Sequence, residues 1–380
     1  MAIKNITVLG SGIMGHGIAQ VSAMSGYNVI LRDIEQQFLD KAMEKIRWSL
    51  DKLVSKQKIS EEESHKIFSR ITTEVDLGRA LKNCDLMIEA VPEVMDLKKK
   101  VYAEVDTVAN KNTIYASNTS TLPITEIANI TSRPERFIGI HFFNPPQLMK
   151  LVEVIPGQKT AKETIDVTMS FVKSVSKEPV LCKKDVVGFI VNRIFIPLVH
   201  EAVWMMDRTK ASMIEIDSAV KFVLHFPMGI FELADFTGLD VIHKATIEMY
   251  SRDKKVINPH PLIQKLFDQK KFGQKTGSGF YEYAGEKYER INLTEELAKK
   301  IEPTPIIGTM LNNAAWLVTN QASDTVEIEK ALNLGMGLRK PIFETAKEFG
   351  MAKIVQELQT LSRKYGQFYE PDPYLLSIQN

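Results

Sequence analysis

Residues 10–15, Gly10-Ser11-Gly12-Ile13-Met14-Gly15, restrict the fold of this chain more than any other stretch. Ile3–Gly10 reads as a strand leading into them, and a helical pattern follows through Met24 until Gly26 ends it. Tyr27–Asp33 then reads as a second strand that closes on an acidic residue. A GxGxxG run is a weak signal alone, but between a strand and a helix, with an acid ending the next strand, it is a strong one for a dinucleotide. Gly10 permits the tight turn, Gly12 the approach of a pyrophosphate to the backbone, and Gly15 close packing of helix on strand. The helix start would offer unpaired N–H groups and a positive dipole end to the phosphates.

Asp33 is placed to accept from ribose hydroxyls and would repel a 2′-phosphate, which favours NAD over NADP. Arg32 beside it could accommodate that phosphate, but Asp33 holds the strand end. Between Ile34 and Arg70, the recurrence of Phe38, Ala42, Ile46, Leu50 and Leu53 and the capping signal Ser60-Glu-Glu-Glu63 predict an inserted helical hairpin. Its outer face carries Lys41, Lys45, Lys52 and Lys56, either a solvated surface or a contact for an anionic handle. Strands resume at Ile71–Thr73, Leu86–Ala90, Thr113–Ser117 and Phe137–His141. The first ends of interest, Pro92-Glu93 and Ala116-Ser-Asn-Thr-Ser120, would meet at the carboxyl edge where such sheets bind ligands.

Chemistry concentrates in Phe137–Ile155. Two β-type runs, Phe137–Phe143 and Leu151–Ile155, flank Asn144-Pro145-Pro146, and the prolines mark a connection rather than a strand. Folding back brings His141 opposite Glu153. A carboxylate on one imidazole nitrogen fixes the tautomer and leaves the other nitrogen to take a proton. Taken alone, the pair reads first as a core histidine with a structural partner.

After Pro179–Cys182 the pattern turns helical, starting with Gly188-Phe-Ile-Val-Asn192-Arg193. A displacement of 112 positions aligns Ala202-Val-Trp204 with Ala314-Ala-Trp316, and Gly229-Ile-Phe-Glu-Leu-Ala234 with Pro341-Ile-Phe-Glu-Thr-Ala346. Gly238 falls on Gly350, Pro261 on Pro373, and Asn192 on Thr304. The organisation expected is an α/β Rossmann-type domain (1–184, with the hairpin at 34–70) followed by an all-α region holding two copies of a helical unit. The copies span 185–283 and 305–380, joined by a flexible linker at 284–304. The second copy is expected to cover an apolar face of the first, an internal pseudo-dimer that leaves other surfaces for further association.

Composition narrows the partners. The 380 residues are 44% hydrophobic and 25% charged with a net charge of +1, which gives no reason for a nucleic-acid or membrane partner. Cys84 and Cys182 are the only cysteines, so no disulfide framework or cysteine-rich metal site is expected. The N-terminus enters a strand pattern without a signal peptide's apolar run, and a cytoplasmic setting is expected.

Taken together, Ser117-Asn-Thr-Ser120, His141-Phe-Phe-Asn144-Pro, Glu153 twelve positions after the histidine, and Gly188-Phe-Ile-Val-Asn192-Arg193 resemble the L-3-hydroxyacyl-CoA dehydrogenase family. The resemblance covers residues 1–283 as the two-domain enzyme, and 305–380 resemble the duplicated C-terminal unit of longer members. It implies His141 as catalytic base, Glu153 as its carboxylate partner, and Ser120 and Asn192 as supporting residues. Cofactor contacts would fall on Gly10, Ser11, Gly12, Ile13, Met14, Gly15, Asp33, Glu93, Lys98, Asn144 and Lys275. Coenzyme A contacts would fall on Ser49 and Lys56, with Ser120 also touching substrate. NAD is the implied cofactor, no metal is implied, and the absence of a hydratase-like segment favours a short substrate such as 3-hydroxybutyryl-CoA. The competing expectations are a related β-hydroxyacid dehydrogenase using other catalytic residues, and a non-enzymatic NAD-binding structural protein.

Overall fold

The computed structural model describes residues 3–284 and 290–379. These fall into two compact units, Met1–Asp185 and Val186–Asn380. Residues 285–289, inside the expected linker, lie outside the described residues.

The first unit is one eight-stranded sheet with spatial order β3-β2-β1-β4-β5-β6-β7-β8. Its strands are β1 (Asn5–Leu9), β2 (Asn28–Arg32), β3 (Ile71–Glu74), β4 (Leu86–Glu89), β5 (Ile114–Ser117), β6 (Phe137–Phe142), β7 (Leu151–Pro156) and β8 (Glu178–Leu181). All neighbours pair in parallel except β6 and β7. Strands β4 to β7 are buried along their whole length, which is why they read as continuous apolar runs and not as alternation. The chain order reverses direction across β1 and β4. That crevice, at the strands' carboxyl ends, is where open α/β sheets take ligands.

The helices of this unit are α1 (Ile13–Met24), α2 (Gln36–Ser55), α3 (Glu61–Ser69), α4 (Leu77–Leu81), α5 (Met95–Val108), α6 (Ile124–Ala128) and α7 (Lys162–Ser174). The hairpin between β2 and β3 is α2 with α3. Leu39, Ala42, Ile46 and Leu50 form the buried stripe of α2, and the Ser60 hydroxyl caps α3 by accepting from Glu63 N–H at 3.1 Å.

The second unit is helical: α8 (Val191–Thr209), α9 (Met213–Phe222), α10 (Ile230–Thr237), α11 (Leu239–Arg252), α12 (Pro261–Asp268), α13 (Glu295–Ala298), α14 (Thr304–Thr319), α15 (Thr325–Met336), α16 (Ile342–Phe349), α17 (Met351–Tyr365) and α18 (Pro373–Ile378). Helices α9 to α12 start at 213, 230, 239 and 261, and α15 to α18 start at 325, 342, 351 and 373, each 112 later. Helix α8 packs on α14. The Arg193 guanidinium lies 3.2 Å from the Trp316 ring centroid. Between the same two sets of helices, buried Glu201 accepts from Tyr369 Oη–H at 2.7 Å and pairs with Arg208, which donates to Tyr369 Oη at 3.0 Å. Burial pushes the Glu201 carboxyl up, against the pull of Arg208 and Tyr369.

Residues 290–304 differ from the flexible linker expected. Ile291 N–H donates to Glu232 at 3.1 Å, Thr294 N–H to Ser218 at 3.2 Å, and Lys300 pairs with Glu215 at 3.2 Å. Leu293 and Ala298 are buried, and α13 packs on α9. The partners of this segment lie 59 to 85 residues upstream, so no local pattern announces them. Among the described residues no helix is long and apolar enough to cross a membrane.

Candidate active site

Gly10 and Gly15 have the local geometry that the spacing of the run predicts. Gly10, at φ +92°, turns the chain out of β1, and its N–H donates to Arg32 O at 2.9 Å. A Cβ on Gly15 would stand 1.7 Å from Gly10 O, so no other residue lets α1 pack this closely under the turn. A Cβ on Gly12 would meet no protein atom within 4 Å, so the chain's own packing does not require glycine there. The start of α1 has no side-chain cap and no acidic residue in its first turn, leaving its N–H groups and positive end to an anion. Ser11, Ile13 and Met14 lie in this run. Ile13 is largely exposed and the Ser11 side chain turns away to Asp33.

Asp33 is fastened by its neighbours: Oδ2 accepts from Ser11 N–H at 2.7 Å and Ser11 Oγ–H at 2.6 Å, and Oδ1 accepts from Ile34 N–H at 2.7 Å. The carboxylate is thus held at the mouth of the β1 turn. Arg32 donates through Nε to Val75 O at 3.1 Å, which draws it toward the chain after β3.

At the end of β4, buried Glu89 accepts from Val91 N–H at 2.8 Å, Lys98 Nζ at 2.6 Å and Ser117 Oγ–H at 2.7 Å. Lys98 also reaches Glu93 at 3.1 Å and Val91 O at 3.4 Å. Glu93 Oε1 in turn accepts from Thr119 Oγ1–H at 2.5 Å, Ser120 N–H at 2.8 Å and Thr121 N–H at 3.3 Å. Lys98, expected as a cofactor contact, is 1% exposed and gives its donors to protein acceptors. Glu89 was not legible as a site residue, although an acid ending the apolar run Leu86-Met-Ile-Glu89 is a usable signal.

His141 and Glu153 are directly opposed in the antiparallel β6–β7 ladder, and Nδ1 lies 2.7 Å from Glu153 Oε2. Both side chains are buried, and the Phe143 ring packs on the imidazole with centroids 4.5 Å apart. Asn118 Oδ1 accepts from Phe142 N–H at 2.9 Å, tying the end of β5 to the residue after the histidine. Asn144, exposed, precedes Pro145 through a cis peptide in the turn beyond β6. In that turn Gln147 donates to Gln20 at 3.1 Å, and Gln20 donates to Ser49 Oγ at 3.0 Å, so the expected coenzyme A residue Ser49 is joined to α1. Lys56 is exposed at the C-terminal end of α2.

Two of the expected residues belong to the second unit. Asn192 lies in the first turn of α8, after Gly188 (φ +78°) and Phe189 (φ +51°). Lys275 sits in a short 3-10 turn, Gln274–Thr276, of the glycine-rich segment and pairs with Asp240. Among the described residues no group of three or more His, Cys, Asp and Glu is placed to hold a metal ion.

A mostly parallel sheet with this glycine cradle at its crevice, an acid just past β2 and a paired histidine on β6, two strands beyond β4, defines an NAD-dependent oxidoreductase of the Rossmann type. The family model "3-hydroxyacyl-CoA dehydrogenase, NAD binding domain" matches residues 5–186, and the C-terminal domain of the same family matches 188–283. The chain belongs to the 3-hydroxyacyl-CoA dehydrogenase family. It is 42% identical over 288 residues to the mitochondrial hydroxyacyl-coenzyme A dehydrogenase of Sus scrofa, covering 74% of this chain and 91% of that one. It is also 42% identical over 280 residues to a 3-hydroxybutyryl-CoA dehydrogenase of Clostridioides difficile, covering 73% and 99%. The solved 3-hydroxybutyryl-CoA dehydrogenase of Escherichia coli K12 superposes with a TM-score of 0.89 at 26% identity. That match covers 99% of this chain and 98% of the other, and so extends past residue 283.

Proposed function

We propose that this chain oxidises (S)-3-hydroxyacyl-CoA to 3-oxoacyl-CoA, with His141 as general base and Glu153 as its orienting partner. The observation that carries the reading is the 2.7 Å contact between His141 Nδ1 and Glu153 within a β ladder. With Nδ1 committed to Glu153, uptake of the substrate's hydroxyl proton falls to Nε2. Bound NAD supplies the acceptor for the hydride that leaves C3. Glu153 stabilises the imidazolium that forms, and its burial strengthens that interaction. Ser120 and Asn192 hold the substrate's oxygen functions so that the reacting atoms start in line. Ser49 and Lys56 serve the coenzyme A handle. Glu93, Asn144 and Lys275 would serve as cofactor contacts. The relatives named 3-hydroxybutyryl-CoA dehydrogenase support a short acyl chain. Two buried free cysteines agree with a reducing compartment, and we read it as cytoplasm.

His141→Ala is expected to lower kcat by roughly 10²- to 10⁴-fold with NADH binding nearly intact, since a positioned base contributes about that much. Glu153→Gln should also lower kcat. Near-normal turnover in either variant, followed by NADH absorbance with C4 to C16 substrates, would sink the assignment. The same series with NADP tests Asp33: Asp33→Ser should narrow a clear preference for NAD.

We also propose that α8–α12 and α14–α18 are two copies of one unit, packed as an internal pseudo-dimer. The common 112-residue spacing of helix starts supports this, as do the contacts of Arg193 with Trp316 and of Glu201 with Tyr369.

A further inference from the structure

No ligand reaches the Glu89 side chain, which is 0% exposed at the end of β4. Its contacts nevertheless run to the loop that carries Ser120. Oε2 accepts from Ser117 Oγ–H, at the start of the loop, at 2.7 Å. Oε1 accepts from Lys98 Nζ at 2.6 Å, and Lys98 spans to Glu93 at 3.1 Å. Glu93 then takes Thr119 Oγ1–H and the N–H groups of Ser120 and Thr121. One carboxylate therefore holds the first residue of the loop and the other its last turn. The buried ammonium between them sets their separation.

We infer that Glu89 is a positioning residue for the Ser117–Ser120 loop, acting through Lys98 and Glu93. This rests on the role given to Ser120 under Proposed function. The electrostatics explain why two carboxylates are needed around one ammonium. Burial alone would lower the Lys98 pKa, but the Glu89 carboxylate, then that of Glu93, outweighs it and holds it above its ordinary value. Burial would likewise raise Glu93, but Lys98 and the donors of Thr119 and Ser120 hold it below. Tyr102, on the same helix as Lys98, stays a neutral donor because burial pushes its hydroxyl well above the ordinary range. With Glu89 removed, burial would dominate at Lys98. A neutral lysine would no longer pull on Glu93, and the loop would lose its lower anchor.

Glu89→Gln tests this in the full chain with a 3-hydroxyacyl-CoA and NAD. Turnover should fall about 10- to 100-fold, the scale of a small misplacement of reacting groups, while KM for NAD moves less than about threefold. The alkaline limb of kcat should shift to lower pH, because Lys98 now loses its proton sooner. Combining Glu89→Gln with Lys98→Met should add little to the larger single effect, since both break one chain of contacts. An unshifted alkaline limb, or effects that multiply, would overturn the inference. If Glu89→Gln does not fold by circular dichroism, Ser117→Ala removes a single donor and should lower kcat about threefold or more without moving KM for NAD; unchanged kcat overturns the inference. Ser120→Ala separates the layers. Normal turnover there would sink the Ser120 assignment and this inference with it, whereas an impaired Ser120→Ala beside a normal Glu89→Gln would sink the inference alone.

Discussion

Helices α8–α12 and α14–α18 solve the same packing problem with different side chains. His200 Nδ1 accepts from His260 N–H at 2.9 Å, and 112 positions later Asn312 Oδ1 accepts from Asp372 N–H at 2.8 Å. His260 caps α12 by accepting from Leu262 N–H at 3.0 Å, and Asp372 caps α18 by accepting from Tyr374 N–H at 2.9 Å. Asp217 takes Phe231 N–H at 2.8 Å, and Glu329 takes Phe343 N–H at 3.0 Å. Gly238 and Gly350 both sit at positive φ, +103° and +87°. What persists is an acceptor in a given place, because a helix start leaves N–H groups that something must satisfy. What does not persist is the set proposed to serve the chemistry. Asn192 becomes Thr304. Asp235 accepts from Phe280 N–H, Tyr281 N–H and Tyr283 Oη–H to hold the glycine-rich segment, and its counterpart is exposed Lys347.

The most drastic way to break the comparison is to remove one side of it. Truncation after Tyr283 should expose the apolar surface of α8 and give a new dimer or an insoluble product, read by light scattering. A soluble, monomeric fragment as heat-stable as the full chain would show that α14–α18 do not cover that face. Next in size, Asn192→Ala should lower kcat about 10²-fold, the usual cost of losing one positioned donor at a reacting oxygen. Thr304→Ala should leave turnover unchanged, and equal effects would refute the division of labour.

The carboxylate caps allow a finer comparison by chemical denaturation. Asp217→Ala and Glu329→Ala should each cost about 1–3 kcal/mol, because buried N–H groups lose their acceptor. Asp217 should cost more. It serves Phe231 and Glu232 N–H and Tyr281 Oη–H, against two N–H groups at Glu329. The smallest effect is one of pH. Burial, helped by His260 and His243, pushes His200 down to about 3, so its neutral ring can accept from His260. The folded state then binds fewer protons than the unfolded chain between about pH 3 and 6.5, and this contribution to stability is lost as pH falls through that window. His200→Asn, which copies position 312, should remove the loss. Its melting temperature relative to the parent should rise as pH drops below about 6.5, and a constant difference would show that His200 is not the sensing group.

Much of this was readable in the sequence where a single local cause acts. Period-two and continuous apolar runs placed the strands, glycine spacing placed the cradle, and the proline turn put His141 opposite Glu153. The contacts that escaped leave no periodic signature. Glu89 looked like one more residue of a buried strand and Lys98 was expected to touch the cofactor; they lie nine positions apart, and only the turn from β4 into α5 brings them together. Docking of residues 290–304 depends on Ser218, Glu232 and Glu215, which sit in another part of the chain.

The buried Glu201–Arg208–Tyr369 cluster has a consequence for how such a chain can change. In a two-fold dimer every contact occurs twice, so any new residue must suit both places at once. In this chain the positions displaced by 112 are Asn313, Asn320 and Ile257, and the two asparagines bond back to their own helix at Thr309 O and Trp316 O. The charged cluster is present once. Under the proposed pseudo-dimer, joining the halves in one chain lifts the requirement of self-complementarity. The buried Glu201–Arg208–Tyr369 cluster can then stand on one side alone, where it distinguishes the first set of helices from the second.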